Sequence, residues 1–269
     1  MIWDNGKKES GGQALKKRER SVIPNKMEKP KNGFSIRKLG VTLCLTIIVI
    51  LGLIFTFQSP LTLWMLGHHE DKYALDSLSK NKLKENLKKG NFDTSDVKTV
   101  NFFDVAKAQM ENQTYPAIGA LSYPELSINL PLFNGDSDTT MLYGAGTMKA
   151  GEVMGEGNFA VASHHVSNVM GHSADGLLFS PLQNAKTGQS IYITDKEKVY
   201  HYVSTEVTRV SPEQGDVILD HKGMKEITLV TCDADDSYRI IVKGTLKGTA
   251  PFDKETAHWF SANYTQYWK

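Results

Sequence analysis

Residues 226–246 read EITLVTCDADDSYRIIVKGTL, and the placing of two side chains in this stretch organises the rest of the chain. Glu226–Thr231 is a β-branched run that delivers Cys232 at its end, and Arg239 lies in a second apolar run, Tyr238–Leu246. As antiparallel neighbours joined by the loop 233–237, these runs set Cys232 and Arg239 side by side at one end of a sheet. Similar runs with period-two alternation occur at Leu126–Leu130, Ser190–Thr194 and Tyr202–Val210. Turn chemistry separates them at Asn134-Gly135-Asp136, Lys186-Thr187-Gly188, Asp195-Lys196-Glu197 and His221-Lys222-Gly223. Short strands spaced by turns predict an all-β sandwich or barrel over residues 101–249, a length sufficient for one core.

Outside that region the character changes. The chain has 269 residues, 40% hydrophobic and 23% charged, with a net charge of +1. That composition excludes wholesale disorder, a collagen-like repeat and a uniformly basic nucleic-acid binder. The charge is uneven: residues 1–38 carry 11 Lys/Arg against 4 Asp/Glu, so the remainder is net acidic. No Asp, Glu, Lys or Arg stands between Lys38 and Glu70, and Leu39–Phe57 reads LGVTLCLTIIVILGLIFTF. As a helix this stretch is about 28 Å long, close to the hydrocarbon thickness of a bilayer. It is too far from the N-terminus, and lacks the small-residue cleavage site, for a secretory signal. The predicted organisation is a cytoplasmic basic tail (1–38), a membrane helix (39–58), a juxtamembrane stalk (59–100), the β domain (101–249) and an aromatic tail (250–269). The stalk has a helical tendency over 76–89, and a second amphipathic stretch runs from Phe102 to Asn112. Lys16, Lys17, Arg18, Arg20, Arg37 and Lys38 keep the N-terminus inside by the positive-inside rule, which places everything after the span outside the cell.

With Cys44 inside the span and Cys232 far into the exported part, the two cysteines are not expected to bridge. Cys232 is then either a small buried hydrophobe or a thiol with a task. A third feature bears on that choice. Asn158-Phe159-Ala160-Val161-Ala162 is an apolar strand that runs into Ser163-His164-His165. A thiol, an imidazole and a guanidinium together can perform acyl transfer: the imidazole supplies the base that an ordinary thiol needs at neutral pH. Arginine, always protonated, can hold a carbonyl or an oxyanion instead.

The run TLVTC at 228–232, followed by an arginine that opens the next strand, resembles the T-L-x-T-C…R signature of sortases. NFAVASHH, LLFSPL at 177–182 and the ITLVTC…RIIVKG framing are similar to their class A, housekeeping branch. The resemblance spans about residues 115–248, and with it comes the expectation of a closed sortase-type β-barrel with short helices. It implies a membrane-anchored cysteine transpeptidase of Gram-positive bacteria that cleaves LPxTG-type sorting signals between Thr and Gly. Cys232 would be the nucleophile, His164 the acid/base and Arg239 the group holding substrate or oxyanion. Thr231 would shape the oxyanion site, Ala162 and Val230 would line the sorting-signal groove, and the loop 211–225 would belong to substrate recognition. The thioacyl-enzyme would pass to the amine of a peptidoglycan precursor (lipid II), or slowly to water. A pilin-polymerising relative is the alternative within this chemistry, and a non-catalytic adhesion or scaffolding module the alternative outside it.

Other residues have blander readings. His165 can replace His164 in principle, because adjacent strand residues face opposite sides; the family pattern selects His164. His164, His165 and His172 lack the spacing of a strong metal motif. His68 and His69 read as interfacial, His201 and His221 as surface. No cofactor is expected. Some class A members bind calcium through acidic residues before the histidine strand and in the loop before the cysteine strand; Glu152 and Glu156 are the residues that could serve, an incomplete set. Arg239 could instead pair with Asp235 or Asp236. The tripeptides Asn112-Gln113-Thr114 and Asn263-Tyr264-Thr265 match a glycosylation pattern that is irrelevant in a bacterium.

Overall fold

A computed structural model describes residues 36–92, 107, 114–166, 177–233 and 236–260. Residues 1–35 of the basic tail, most of the Phe102–Asn112 stretch, His172, Asp235 and the tail beyond Phe260, with its Asn263 tripeptide, lie outside the described residues.

The chain builds eight strands: β1 (Ala117–Tyr123), β2 (Ile128–Phe133), β3 (Ala145–Thr147), β4 (Asn158–Ala162), β5 (Ser190–Thr194), β6 (Lys198–Val210), β7 (Glu226–Cys232) and β8 (Arg239–Pro251). They close into a barrel in the order β1-β2-β3-β4-β7-β8-β6-β5. The pairs β2–β3 and β4–β7 are parallel; the others are antiparallel. Alternation sends Phe159 and Val161 of β4, Ile227 and Leu229 of β7, and Ile240 and Val242 of β8 into the barrel core with Leu121, Ile193 and Tyr202. The partners on the other face, Ala162, Val230 and Ile241, form a separate outer cluster with Met141.

The closed all-β barrel expected from the sequence is the observed architecture. β5 coincides with its predicted run, whereas β2 starts at Ile128 because Pro124–Leu126 forms a 3₁₀ turn and Ser127 adopts φ 55°. β6 and β8 extend beyond prediction as one long antiparallel pair, reaching Lys198 and Pro251. β1 has no legible period, since all seven of its residues are buried. Its inner face meets the barrel core and its outer face is covered, so no polar alternation survives. At Gly119 a side chain would strike the Thr194 carbonyl of β5, so only glycine permits this approach.

The N-terminal helix α1 (Ile36–Tyr73) has a 19-residue apolar portion, Ile36–Ile54, with mean hydropathy 2.1, which fits a single-pass membrane anchor. Thr46 and Thr56 return their hydroxyls to the carbonyls of Thr42 and Gly52, so neither hydroxyl is left unpaired in an apolar medium. Helical backbone continues past the predicted end near Gln58 to Tyr73: hydropathy limits the membrane-compatible portion, but it does not limit hydrogen bonding along the helix.

The segment read as a stalk is not free-standing at its C-terminal part. Ser79 caps α2 (Lys80–Asn86) through the Lys82 amide. Tyr73, Leu75 and Leu83 pack with Ala120, Phe133, Val199 and Phe260 in a second cluster. Buried Asn86 donates to the Ala117 carbonyl at 2.7 Å and accepts, through its backbone carbonyl, from Asn134 at 3.1 Å. Lys196 closes the join by donating to the carbonyls of Leu75 and Leu78. The aromatic tail contributes too: Trp259 stacks on Tyr192 at 4.4 Å, and Tyr192 stacks on His201, which is therefore partly covered. Asn86→Ala strands the Ala117 carbonyl, and thermal unfolding of the purified chain is expected to show a loss of about 1–3 kcal/mol.

Candidate active site

Three segments meet at one rim of the barrel. In the parallel β4–β7 ladder, Ala162 stands opposite Val230. Pairing continues beyond β4: the Ser163 amide donates to the Val230 carbonyl at 3.2 Å, and the Thr231 hydroxyl donates to the Ser163 carbonyl at 2.8 Å. His164 and Cys232 each stand two residues beyond the last pair of that register, so an extended continuation directs both to the same rim and to the face of Ala162 and Val230. On the other side of β7, Cys232 is directly opposite Arg239. The fold thus aligns His164, Cys232 and Arg239 across three neighbouring segments.

Below this row lies an apolar floor. Ala162, Val230, Ile241 and Met141 form it, with Met148, Val210, Val217 and Ile218 packed against it. Met141 comes from a short helix α3 (Asp138–Tyr143), and Val217 and Ile218 from the loop 211–225. Thr231 is buried, and its hydroxyl is engaged in holding the histidine segment to β7. His164 is almost completely buried; its backbone carbonyl accepts from Phe179, and its Nε2 lies 3.2 Å from the Asp138 carbonyl. His165 is buried as well.

Cys232 is half-buried, and neither it nor the exposed Cys44 is in a disulfide. Burial pushes its thiol up to about 11; the Asp236 charge and a hydrogen bond to Asp236 act in the same direction, and the Arg239 guanidinium opposes them. The resting group is therefore a protonated thiol at neutral pH. Asp236 holds φ 60°, in the left-handed region that Asp tolerates better than most residues. Arg239 Nη1 donates to the carbonyls of Asp236 and Tyr238, at 3.2 and 3.3 Å, so the same short loop touches both thiol and guanidinium. Arg209 braces that loop by pairing with Asp233 at 3.2 Å.

A second polar assembly fixes the loop 211–225. Lys149 Nζ donates to the Asn158 carbonyl, the Ile218 carbonyl and Asp220 Oδ1, all within 2.8 Å, and lies 3.5 Å from Glu152 Oε1. Asn158 adds amide bonds to the Val217 and Leu219 carbonyls and accepts from Thr228. Gly157, at φ 51°, faces Asp220 at a spacing that leaves no room for a side chain. The ammonium beside Asp220 holds that carboxyl below its usual range. Glu152 accepts from the Ala160 amide at 2.7 Å, yet burial raises it to about 7. Among the described residues no group of three or more His, Cys, Asp or Glu side chains is arranged to hold a metal ion.

Asp138, Lys149 and Asp220 were not singled out by sequence reading, and Asp236 only as a possible partner of Arg239. No spacing rule links a helix-start aspartate to a histidine 26 positions later, or a lysine to an aspartate 71 positions away. His221, read as a surface residue, pairs with Glu226 and is half-exposed.

Asp236→Asn removes a charge that keeps the thiol protonated. Its alkylation by iodoacetamide at pH 7–8 is expected to quicken by about 10-fold, with the midpoint of the pH–rate curve moving down. Glu152 gives a different pH signature. Its folded-state value exceeds 4.5, so its contribution to stability is complete below that pH and is lost as pH rises toward about 7. Relative to Glu152→Gln, the native chain is expected to lose up to about 3 kcal/mol across that window in paired unfolding measurements.

Comparison with known proteins identifies the family. The Sortase domain family matches residues 121–247. Sortase A of Streptococcus agalactiae is 40% identical over 230 residues, covering 83% of this chain and 92% of that protein. Sortase A of Bacillus anthracis is 38% identical over 159 residues, covering 58% of this chain and 71% of its own length. The crystal structure of sortase C-3 from Streptococcus pneumoniae shares the fold at a TM-score of 0.52 and 17% identity, over 72% of this chain and 96% of that one. With a barrel rim that gathers a thiol, an imidazole and a guanidinium, and relatives this similar over most of their length, the chain belongs to the sortase family as a transpeptidase of its class A branch.

Proposed function

We propose that this sortase cuts LPxTG-type signals on secreted surface proteins between Thr and Gly, using Cys232 as nucleophile and His164 as acid/base. The observation that carries the reading is the shared row of His164, Cys232 and Arg239 above an apolar floor. Sγ attacks the threonine carbonyl carbon as its proton passes to His164. The imidazolium then gives a proton to the departing glycine amine as the C–N bond breaks, leaving a thioacyl-enzyme. An incoming amine of a peptidoglycan precursor (lipid II) attacks that thioester, its proton goes to His164, the C–S bond breaks, and His164 returns the proton to the released Cys232 sulfur. Arg239 holds the substrate carbonyl or its oxyanion, where one donor is worth about 2.7–4 kcal/mol in precedents. Ala162 and Val230 line the floor under the signal's apolar residues. Thr231 contributes by fixing the histidine segment against β7.

The resting thiol supports a sequence in which substrate comes first. An approaching peptide displaces the Asp236 contact and exposes Sγ to Arg239 and His164. The apolar helix supports a single-pass anchor with the N-terminus in the cytoplasm and the barrel outside. Both a membrane-tethered substrate and a lipid-linked acceptor would then be confined near the enzyme, which raises their effective concentration. Calcium is not needed for this reading, because the Lys149 ammonium already joins the segment before β4 to the loop 211–225, and both Glu152 oxygens face Lys149 or the Ala160 amide.

The test uses the detergent-solubilised chain, an LPxTG peptide and an amine acceptor, followed by mass spectrometry. The native chain is expected to form an adduct on Cys232 and a Thr-linked product, at a rate that EDTA leaves unchanged. His164→Ala is expected to lower turnover by about 10²–10⁴-fold. Peptide exchange by Cys232→Ala would refute the assignment.

A further inference from the structure

The burial of His164 leaves its ring dependent on a single partner. Its Nε2 lies 3.2 Å from the carbonyl oxygen of Asp138 and 3.2 Å from Oδ1 of the same residue. The carbonyl lies along the hydrogen-bond direction, whereas Oδ1 accepts no hydrogen bond and is shut away from solvent. Among the described residues, His164 has no other side-chain partner and Asp138 no other ionic one. An anionic oxygen in that position is costly unless a cation faces it. The imidazolium formed when His164 takes a proton would supply that cation, 3.2 Å away.

We propose that Asp138 is a positioning residue for His164: it fixes the ring through Nε2 and stabilises the imidazolium that forms when the ring accepts a proton. The inference rests on the acid/base reading of His164 given above. With Nε2–H directed at Asp138, Nδ1 is the nitrogen left to exchange protons with Sγ and with the two amines. Asp138 acts on the ring by position and field, the division of labour known from hydrolase triads.

The surroundings of Asp138 suit this task. It is the first residue of α3, and the turn before that helix is braced from several directions. Thr140, buried, donates to the carbonyls of Gly135 and Ser137, and the Gly135 amide donates to Thr147 of β3. Ser163 donates to the carbonyl of Gly144 at the far end of α3. The carboxylate and the histidine are thus mounted on one rigid junction, the requirement for a group that acts through orientation. α3 serves a double purpose, since its Met141 also contributes to the apolar floor.

The test is the variant Asp138→Asn, which keeps the side-chain size and the backbone carbonyl but removes the charge. Its kcat with the LPxTG peptide is expected to fall by about 10–100-fold with KM unchanged, part of what acid–base catalysis contributes in all. Asp138→Glu is expected to restore part of the loss. Glu206→Gln, an exposed change of the same charge on β6, is expected to leave kcat as it is. A second measurement needs no substrate: proton NMR of the full chain in detergent should show a downfield ring N–H resonance from His164, moved upfield in Asp138→Asn and unmoved in Glu206→Gln. Native kcat in Asp138→Asn overturns the proposal. So does a loss of kcat that accompanies an unchanged ring resonance and no rescue by Asp138→Glu. A native chain inactive on LPxTG peptides refutes the substrate reading instead, and the resonance still decides the Asp138–His164 pair.

Discussion

Parallel pairing between β4 and β7 is the constraint on which the active rim depends. Two parallel strands end at the same rim of the barrel, so their terminal residues come together without any attraction between the side chains themselves. The antiparallel turn into β8 then returns Arg239 to that rim. Where the β4 ladder stops, the Thr231 hydroxyl and the Ser163 amide carry the pairing one step further, so His164 is held by backbone geometry. The site is therefore as rigid as the barrel, whose core is filled by Phe159, Leu229, Val242 and their neighbours.

Electrostatics at that rim favour a neutral resting state. Burial and the Asp236 carboxylate outweigh Arg239 at the thiol, so Cys232 is kept in its protonated, slowly reacting form. Arg239 meanwhile lies against the carbonyls of the same loop. A single short segment after Cys232 thus acts on both groups, and its displacement would change thiol and guanidinium together. Asp138 does the complementary thing on the other side, where it presents negative charge to His164. The two aspartates have opposite consequences because one faces a group that becomes an anion and the other a group that becomes a cation.

The loop 211–225 is held rather than loose. Its Val217 and Ile218 cover the apolar floor, and the carbonyls of Val217, Ile218 and Leu219 accept from Asn158 or Lys149. An ammonium suits this junction because it satisfies several carbonyls and a carboxylate at once. Burial raises its neighbour Glu152 to about 7, so the junction is expected to respond to pH near neutrality.

Local sequence carried a good deal of this. Period-two alternation marks strands wherever one face is apolar and the other is not, as at Ser190–Thr194, and the uncharged run after Lys38 marks a helix fit to cross a bilayer. The ends of the β7 and β8 runs placed Cys232 opposite Arg239, because a short hairpin connection leaves few registers open. Tertiary structure alone decided the rest. β1 is covered on both faces and so lost its period, and the docking of residues 73–87 required knowing what covers it. Asp138 reaches His164, and Lys149 reaches Asp220, only after strands distant in sequence have been paired. Alternation and hydropathy are properties of neighbouring residues along the chain; a charge that acts across the barrel rim is a property of closure, and no local pattern encodes it.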